Sequence, residues 1–129
     1  MAKVLIVEDN AANMTLATFL LESVGHAVLK ATDAEAGVAL ACGEQPDLIL
    51  MDIQLPGMDG LRATGLLKGD PATRDIPVIA LTALAMKGDE ERIREAGCDG
   101  YIAKPLSYKD FLATISSQLG KRAAVHPGS

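Results

Sequence analysis

Residues 47–60 read DLILMDIQLPGMDG. Leu48, Ile49, Leu50 and Met51 follow one another with no polar alternation, so the segment they form is covered on both faces. That is the pattern of a strand inside a parallel sheet with helices on either side. A carboxylate, Asp52, stands directly at the end of this run, the most apolar in the chain. The stretch LPGMDG, Leu55 to Gly60, then reads as a turn, with Pro56 fixing one dihedral and the glycines allowing positive φ.

Short apolar runs recur on either side of this segment: KVLIV (Lys3–Val7), AVLKA (Ala27–Ala31), PVIAL (Pro77–Leu81) and GYIA (Gly100–Ala103). Helical spacing fills the intervals. Met14, Leu16, Leu20 and Leu21 mark a first helix, and Ala36, Val38, Ala39 and Ala41 a second. A third follows Gly60, a fourth surrounds DEERIREAG, and a fifth holds Phe111, Leu112, Ile115 and Leu119. Asp33, Asp59 and Ser107 stand where N-caps are wanted, and Gly25, Gly43, Gly69 and Gly97 where a helix closes. Five strand–helix alternations predict right-handed crossovers and a doubly wound α/β domain.

At 129 residues the chain is the length of one domain, and half of it is apolar, which suits a folded core without disulfides or structural metal. The net charge of -5, with basic residues scattered, disfavours direct nucleic-acid binding. Cys42 and Cys98 stand alone and are expected as small buried hydrophobes of a reducing cytoplasm. The apolar N-terminus meets Glu8 and Asp9 too soon for a signal peptide or membrane span, so a cytoplasmic chain with no membrane insertion is expected. The domain is expected over residues 1–121, and residues 122–129, which lack apolar periodicity, as a disordered tail.

In an open parallel sheet, ligands gather beyond the carboxyl ends of the strands. Glu8 and Asp9 follow the first strand, Asp52 ends the third, Thr82 follows the fourth, and Lys104 and Pro105 follow the fifth. Alone, each is an ordinary loop group or cap. Together they are costly: two carboxylates about 5 Å apart at an effective dielectric near 20 repel by roughly 3 kcal/mol. Three such pairs approach about 10 kcal/mol before screening, comparable with a domain's whole stability of roughly 5–15 kcal/mol. The cluster asks for a cation. Its donors are oxygens with no His or Cys beside them, which selects a hard ion such as Mg²⁺, while His26 and His126 lack the partners a zinc site needs.

The constellation resembles the response-regulator receiver domain over residues 3 to about 120, through VEDN (7–10), LILMDIQLPGMDG (48–60), ALTA (80–83) and YIAKP (101–105) in that order. The stretch MKGDEERIREAGCDGYIAKP (86–105) is similar to the single-domain DivK-like receivers. The resemblance implies a five-stranded sheet of order 2-1-3-4-5 with five helices, the flavodoxin-like or CheY-like fold. It also implies that Asp52 accepts a phosphoryl group from a phosphohistidine on a sensor histidine kinase or phosphotransfer protein. Asp9, Asp52 and the backbone carbonyl of Gln54 are implied to bind Mg²⁺, with Glu8 acting mainly through water.

Lys104 is implied to hold a phosphoryl oxygen, and Thr82 and Ala83 to form the rest of the phosphate and switch site. Tyr101 matches the aromatic that fills the space Thr82 vacates, shifting the face of helix 4, strand 5 and helix 5 toward downstream partners. The Lys104–Pro105 bond is implied to be cis, and Gln54 and Leu84 sit where the family tunes phosphoryl lifetime. Output is expected through protein contacts or from a parent polypeptide such as a hybrid kinase. Among competing readings, a dehalogenase-type phosphohydrolase would place a second Asp where Gln54 stands. A flavodoxin would bind an anionic phosphate where Glu8 and Asp9 stand. A binding module without the chemistry would have no use for Asp9, Asp52, Thr82 and Lys104 together.

Overall fold

The computed structural model describes residues 2–55, 57–83 and 87–124, and of residues 87 and 121–124 only the backbone. Pro56 and Leu84 lie outside the described residues, as do residues 125–129 of the expected tail. Strands β1 (Lys3–Val7), β2 (Ala27–Ala31), β3 (Leu48–Asp52), β4 (Val78–Thr82) and β5 (Gly100–Ala103) alternate with five helices. These are α1 (Ala11–Ser23), α2 (Ala34–Glu44), α3 (Gly60–Gly69), α4 (Lys87–Glu95) and α5 (Tyr108–Ala124). The strands are all parallel in the order β2-β1-β3-β4-β5. Residues 122–124, expected in the tail, continue α5.

Two apolar layers sandwich the sheet. Val4, Ile6, Leu48, Leu50, Ile79 and Leu81 pack toward α1 and α5 with Leu21, Phe111 and Ile115. Leu5, Val7, Ile49, Met51, Val78 and Ala80 pack toward α2, α3 and α4 with Ala41, Leu67 and Ile93. This strict alternation is what an uninterrupted aliphatic strand gives when both faces are roofed. β3 and β4 are buried along their whole length.

β3 and β4 each run one residue further than expected. Asp52 is paired in register with Leu81, and the Lys104 N–H donates to the carbonyl of Thr82 at 2.8 Å. Asp52 and Thr82 are therefore the last strand residues, held by ladder hydrogen bonds.

Four expectations are corrected. Leu16 is turned to solvent, because α1 buries Met14, Ala17, Thr18, Leu20 and Leu21, a row whose small members carry little hydrophobic signal. α2 buries Ala34, Gly37 and Ala41 and leaves Ala36 and Ala39 exposed. Its sequence is small and apolar on every side, so periodicity has no contrast. Position is set instead by Gly37, where a Cβ would come within 2.6 Å of Val7.

Gly43 lies inside α2, and the left-handed residue after it is Gln45 at φ 48°, whose side chain donates to the carbonyls of Ala41 and Cys42. Gly69 ends α3 without a left-handed turn, since Asp70 follows in extended conformation. Gly25 and Gly97 do take positive φ, at 91° and 104°. The fourth correction is Cys42, which is exposed; Cys98 is buried as expected. Asp33 and Asp59 cap α2 and α3 by accepting the N–H of Ala36 and Arg62, each at 2.8 Å, and the Ser107 carbonyl accepts the Phe111 N–H of α5.

Candidate functional site

The carboxyl edge of the sheet gathers the residues singled out above. β1 delivers Glu8, whose side chain is wholly buried, and then Asp9, which is exposed. β3 ends in Asp52, only 2% exposed, and β4 in Thr82, fully buried. One carboxylate oxygen from each of Glu8, Asp9 and Asp52 lies within 4.8 Å of the others. From β5, Lys104 reaches over them: its Nζ is 2.9 Å from Glu8 Oε1 and 3.2 Å from Asp52 Oδ2. The Lys104–Pro105 bond is cis, as the resemblance implies.

The Glu8 carboxylate is thus committed to an ammonium ion, a direct pairing that the expectation of a water-mediated role did not include. Burial, and then the nearness of Asp52, push the Glu8 pKa up, against the opposing pull of Lys104 and the Asn10 N–H. For Lys104, burial disfavours the charged form. The hydrogen bond to Glu8 and the charges of Asp52 and Glu8 outweigh it and hold the pKa above the usual lysine range. Among the described residues, three carboxylates gather here and the one ammonium pairs with two of them, so the surplus is anionic.

Backbone geometry aims the acids. The Gln54 N–H donates to Asp52 Oδ1 at 2.9 Å, closing a local turn that fixes the carboxylate while the Gln54 side chain points to solvent. The Ala83 residue following β4 is exposed beside this site. Thr82 is in register with Ala103, and Tyr101 with Ala80, so Tyr101 and Thr82 lie on neighbouring strands and on one face of the sheet. Tyr101 is 36% exposed, its hydroxyl turned out to donate to the Glu90 carboxylate of α4.

Three contributors were not picked out from the residues. Asn10 accepts the Asn13 N–H at 2.9 Å to cap α1, while its own N–H donates to Glu8 Oε2 at 3.1 Å. The Asn three residues before another backbone donor at a strand end was the available signal. Gly60, read as a flexible turn residue, is needed for space: a Cβ there would stand 2.2 Å from the Asp52 carbonyl oxygen. Positive φ in this loop belongs to Gly57. Glu90 carries no sequence signal, being one acid in a charged helix.

A buried strand-terminal Asp beside two further acids and a lysine from the last strand, on a sheet of order 2-1-3-4-5, is matched by the family model described as the response regulator receiver domain, over residues 4–116. The chain belongs to that family. This receiver domain is 53% identical over 117 residues to the polar-differentiation response regulator DivK of Brucella anthropi, a match spanning 91% of this chain and 95% of that protein.

Among solved structures, the receiver domain of the sensor histidine kinase PA1611 from Pseudomonas aeruginosa is 36% identical with a TM-score of 0.86, over 92% of this chain and 98% of that one. That relative was crystallised with a magnesium ion coordinated in its active-site cleft. A response regulator of Chloroflexus aurantiacus is 26% identical with a TM-score of 0.89, covering 92% and 98% of the two chains. The receiver domain is therefore a DivK-like member of two-component signalling, of a family that regulates rather than turns over a substrate. Among the described residues, no helix is long and apolar enough to cross a membrane.

Proposed function

We propose that this receiver domain is a cytoplasmic switch that accepts a phosphoryl group on Asp52 from a phosphohistidine of a sensor histidine kinase or phosphotransfer protein. The observation that carries the reading is the buried Asp52 carboxylate at the end of β3, with Glu8 and Asp9 within 4.8 Å and the Lys104 ammonium at 3.2 Å. A carboxylate oxygen attacks phosphorus, the donor's N–P bond breaks, and its electron pair stays on the imidazole. The lysine, already bridging two acids, is placed to follow a phosphoryl oxygen as a mobile point charge.

The donor set fits a hard dication: all its side-chain ligands are oxygens, they lie close enough to share one ion, and one ammonium leaves them undercompensated. Asp9, Asp52 and the Gln54 carbonyl would hold Mg²⁺, with Glu8 behind them through water. When bound, the ion neutralises charge on the phosphoryl oxygens. The aspartyl phosphate carries roughly 1.5 to 2 negative charges and three strong acceptors. The Thr82 hydroxyl and the Ala83 backbone beside it answer those acceptors. Tyr101 then follows Thr82 inward, and the face made by α4, β5 and α5 presents a different surface to a downstream protein. The domain assists its own phosphorylation and dephosphorylation and has no separate substrate; sustained turnover of small phosphate esters would overturn that.

Incubation with acetyl phosphate and Mg²⁺ is expected to add one phosphoryl group by intact mass, and neither chelation with EDTA nor the Asp52→Asn variant should permit it. Equal labelling of Asp52→Asn would sink the assignment of the acceptor.

A further inference from the structure

α4 is lightly held. Its sequence, KGDEERIRE, is almost wholly charged, and among its described side chains only Ile93 is buried. A cleft of about 210 Å³ opens beside its contact with β5, lined by Glu90, Ile93, Arg94, Cys98 and Tyr101 among others. Across this cleft the Tyr101 hydroxyl donates to the Glu90 carboxylate, one turn before Ile93. The first half of the helix is therefore tied to the sheet through the side chain of Tyr101. The bond to Glu90 pushes the tyrosine pKa up, as expected when a neutral hydroxyl donates to an anion.

Tyr101 shares its face of the sheet with Thr82, one strand away and two residues further along the register. Its neighbour on β4 is Ala80, a small side chain that adds little bulk along that face. The hydroxyl can move toward Thr82 only by leaving Glu90. Outward ring and docked α4 are thus two readouts of one hydrogen bond.

We propose that Glu90 is a positioning residue that latches the switch: it holds Tyr101 outward and α4 against β5, so phosphorylation must break this bond before the partner face can change. The inference rests on the reading that the domain is phosphorylated at Asp52 and signals through Tyr101. It adds that the resting state is actively held by α4. A charge-assisted hydrogen bond at an exposed site biases such an equilibrium by about threefold to tenfold at most.

The test is the affinity for beryllofluoride in the presence of Mg²⁺, measured by calorimetry on the full chain. Glu90→Ala is expected to bind about threefold to tenfold more tightly than the wild type. Glu90→Gln, which keeps an acceptor oxygen and loses the charge, should fall between. In a Tyr101→Phe background, which lacks the donor, Glu90→Ala should change nothing. With Tyr108→Phe leaving one fluorotyrosine, the fluorine resonance of Tyr101 in Glu90→Ala should shift toward its beryllofluoride-bound position before any beryllofluoride is added. An affinity within about twofold of wild type, or the same gain in Tyr101→Phe, overturns the latch while leaving the phosphorylation reading intact. Failure of the wild type to bind beryllofluoride would overturn both.

Discussion

The two edges of the sheet each carry a lysine in an ion pair, and they use it differently. At the amino edge, Lys68 Nζ lies 2.9 Å from Asp99 Oδ2 and also donates to the carbonyls of Arg74 at 3.1 Å and Ile76 at 2.8 Å. Asp99 in turn accepts the N–H of Val78 at 2.8 Å, and nearby Asp47 accepts the N–H of Lys3. Donors and acceptors match, and the cluster staples α3, the loop before β4 and the loop before β5. At the carboxyl edge, Lys104 pairs with two buried carboxylates while a third, exposed one lies within 4.8 Å of them, and the balance is left anionic. A closed network such as the first fixes the fold. An open one such as the second has capacity for another cation and for a group that the cation escorts.

Removing each lysine separates these roles, and the largest effect is expected at the carboxyl edge. Lys104→Met leaves Glu8 and Asp52 buried beside each other without a counter-ion, which should cost about 3 kcal/mol in Mg²⁺-free urea unfolding. Saturating Mg²⁺ should recover more stability in this variant than in the wild type, because the dication takes over the lost compensation. Lys68→Met takes their donor from the Arg74 and Ile76 carbonyls and leaves Asp99 with the Val78 N–H alone, and should cost about 2 kcal/mol. Its increment from Mg²⁺ should equal that of the wild type. Equal Mg²⁺ recovery in both variants would erase the distinction between the edges.

How far this difference was legible in the sequence depends on the kind of signal. The aliphatic runs of β1, β3 and β4 could be read directly because burial on both faces leaves no ambiguity of period. The strand order 2-1-3-4-5 came through the resemblance, since nothing local in a strand names its neighbour. Asp52, Thr82 and Lys104 were visible because they interrupt or end apolar runs. Gly60 and Gly37 were not, because their role is the space a missing Cβ leaves against Asp52 and Val7, and a sequence does not show what approaches from elsewhere. Glu90 was invisible for a related reason: its partner is eleven residues away and one charge among many has no periodicity. Gln45 took the left-handed position that Gly43 was expected to fill, since its own amide could satisfy the last carbonyls of α2.

A pH titration sharpens the comparison with a smaller effect. The Glu8 pKa is raised in the fold above its ordinary 4.5, chiefly by burial. An acid whose folded pKa is raised contributes stability that is complete below its unfolded pKa and is lost as pH rises through the folded value. Without Mg²⁺, the wild type should therefore lose stability as pH climbs from 4.5, and Glu8→Gln should flatten that decline. An unchanged slope in Glu8→Gln would mean that Lys104 already compensates Glu8 in full and that the surplus charge lies on the other two acids.

The smallest effect belongs to the amino edge and has the opposite sign. His26, just before β2, accepts the Ala2 N–H on Nδ1 at 3.1 Å, a bond that only the neutral ring can make with that nitrogen. Burial lowers its pKa from the ordinary 6.5. The unfolded chain therefore binds the proton first, so the stabilisation is complete above pH 6.5 and is lost as pH falls through the folded value. His26→Asn, which offers an oxygen acceptor that does not titrate, should remove this acid-side loss and leave the Glu8 slope untouched. Urea unfolding of the single and double variants across pH 4.5 to 7 reads both at once. The two slopes should add, because opposite edges of the sheet share no partner among these residues. Non-additivity would show that the closed edge and the open edge communicate through the strands between them.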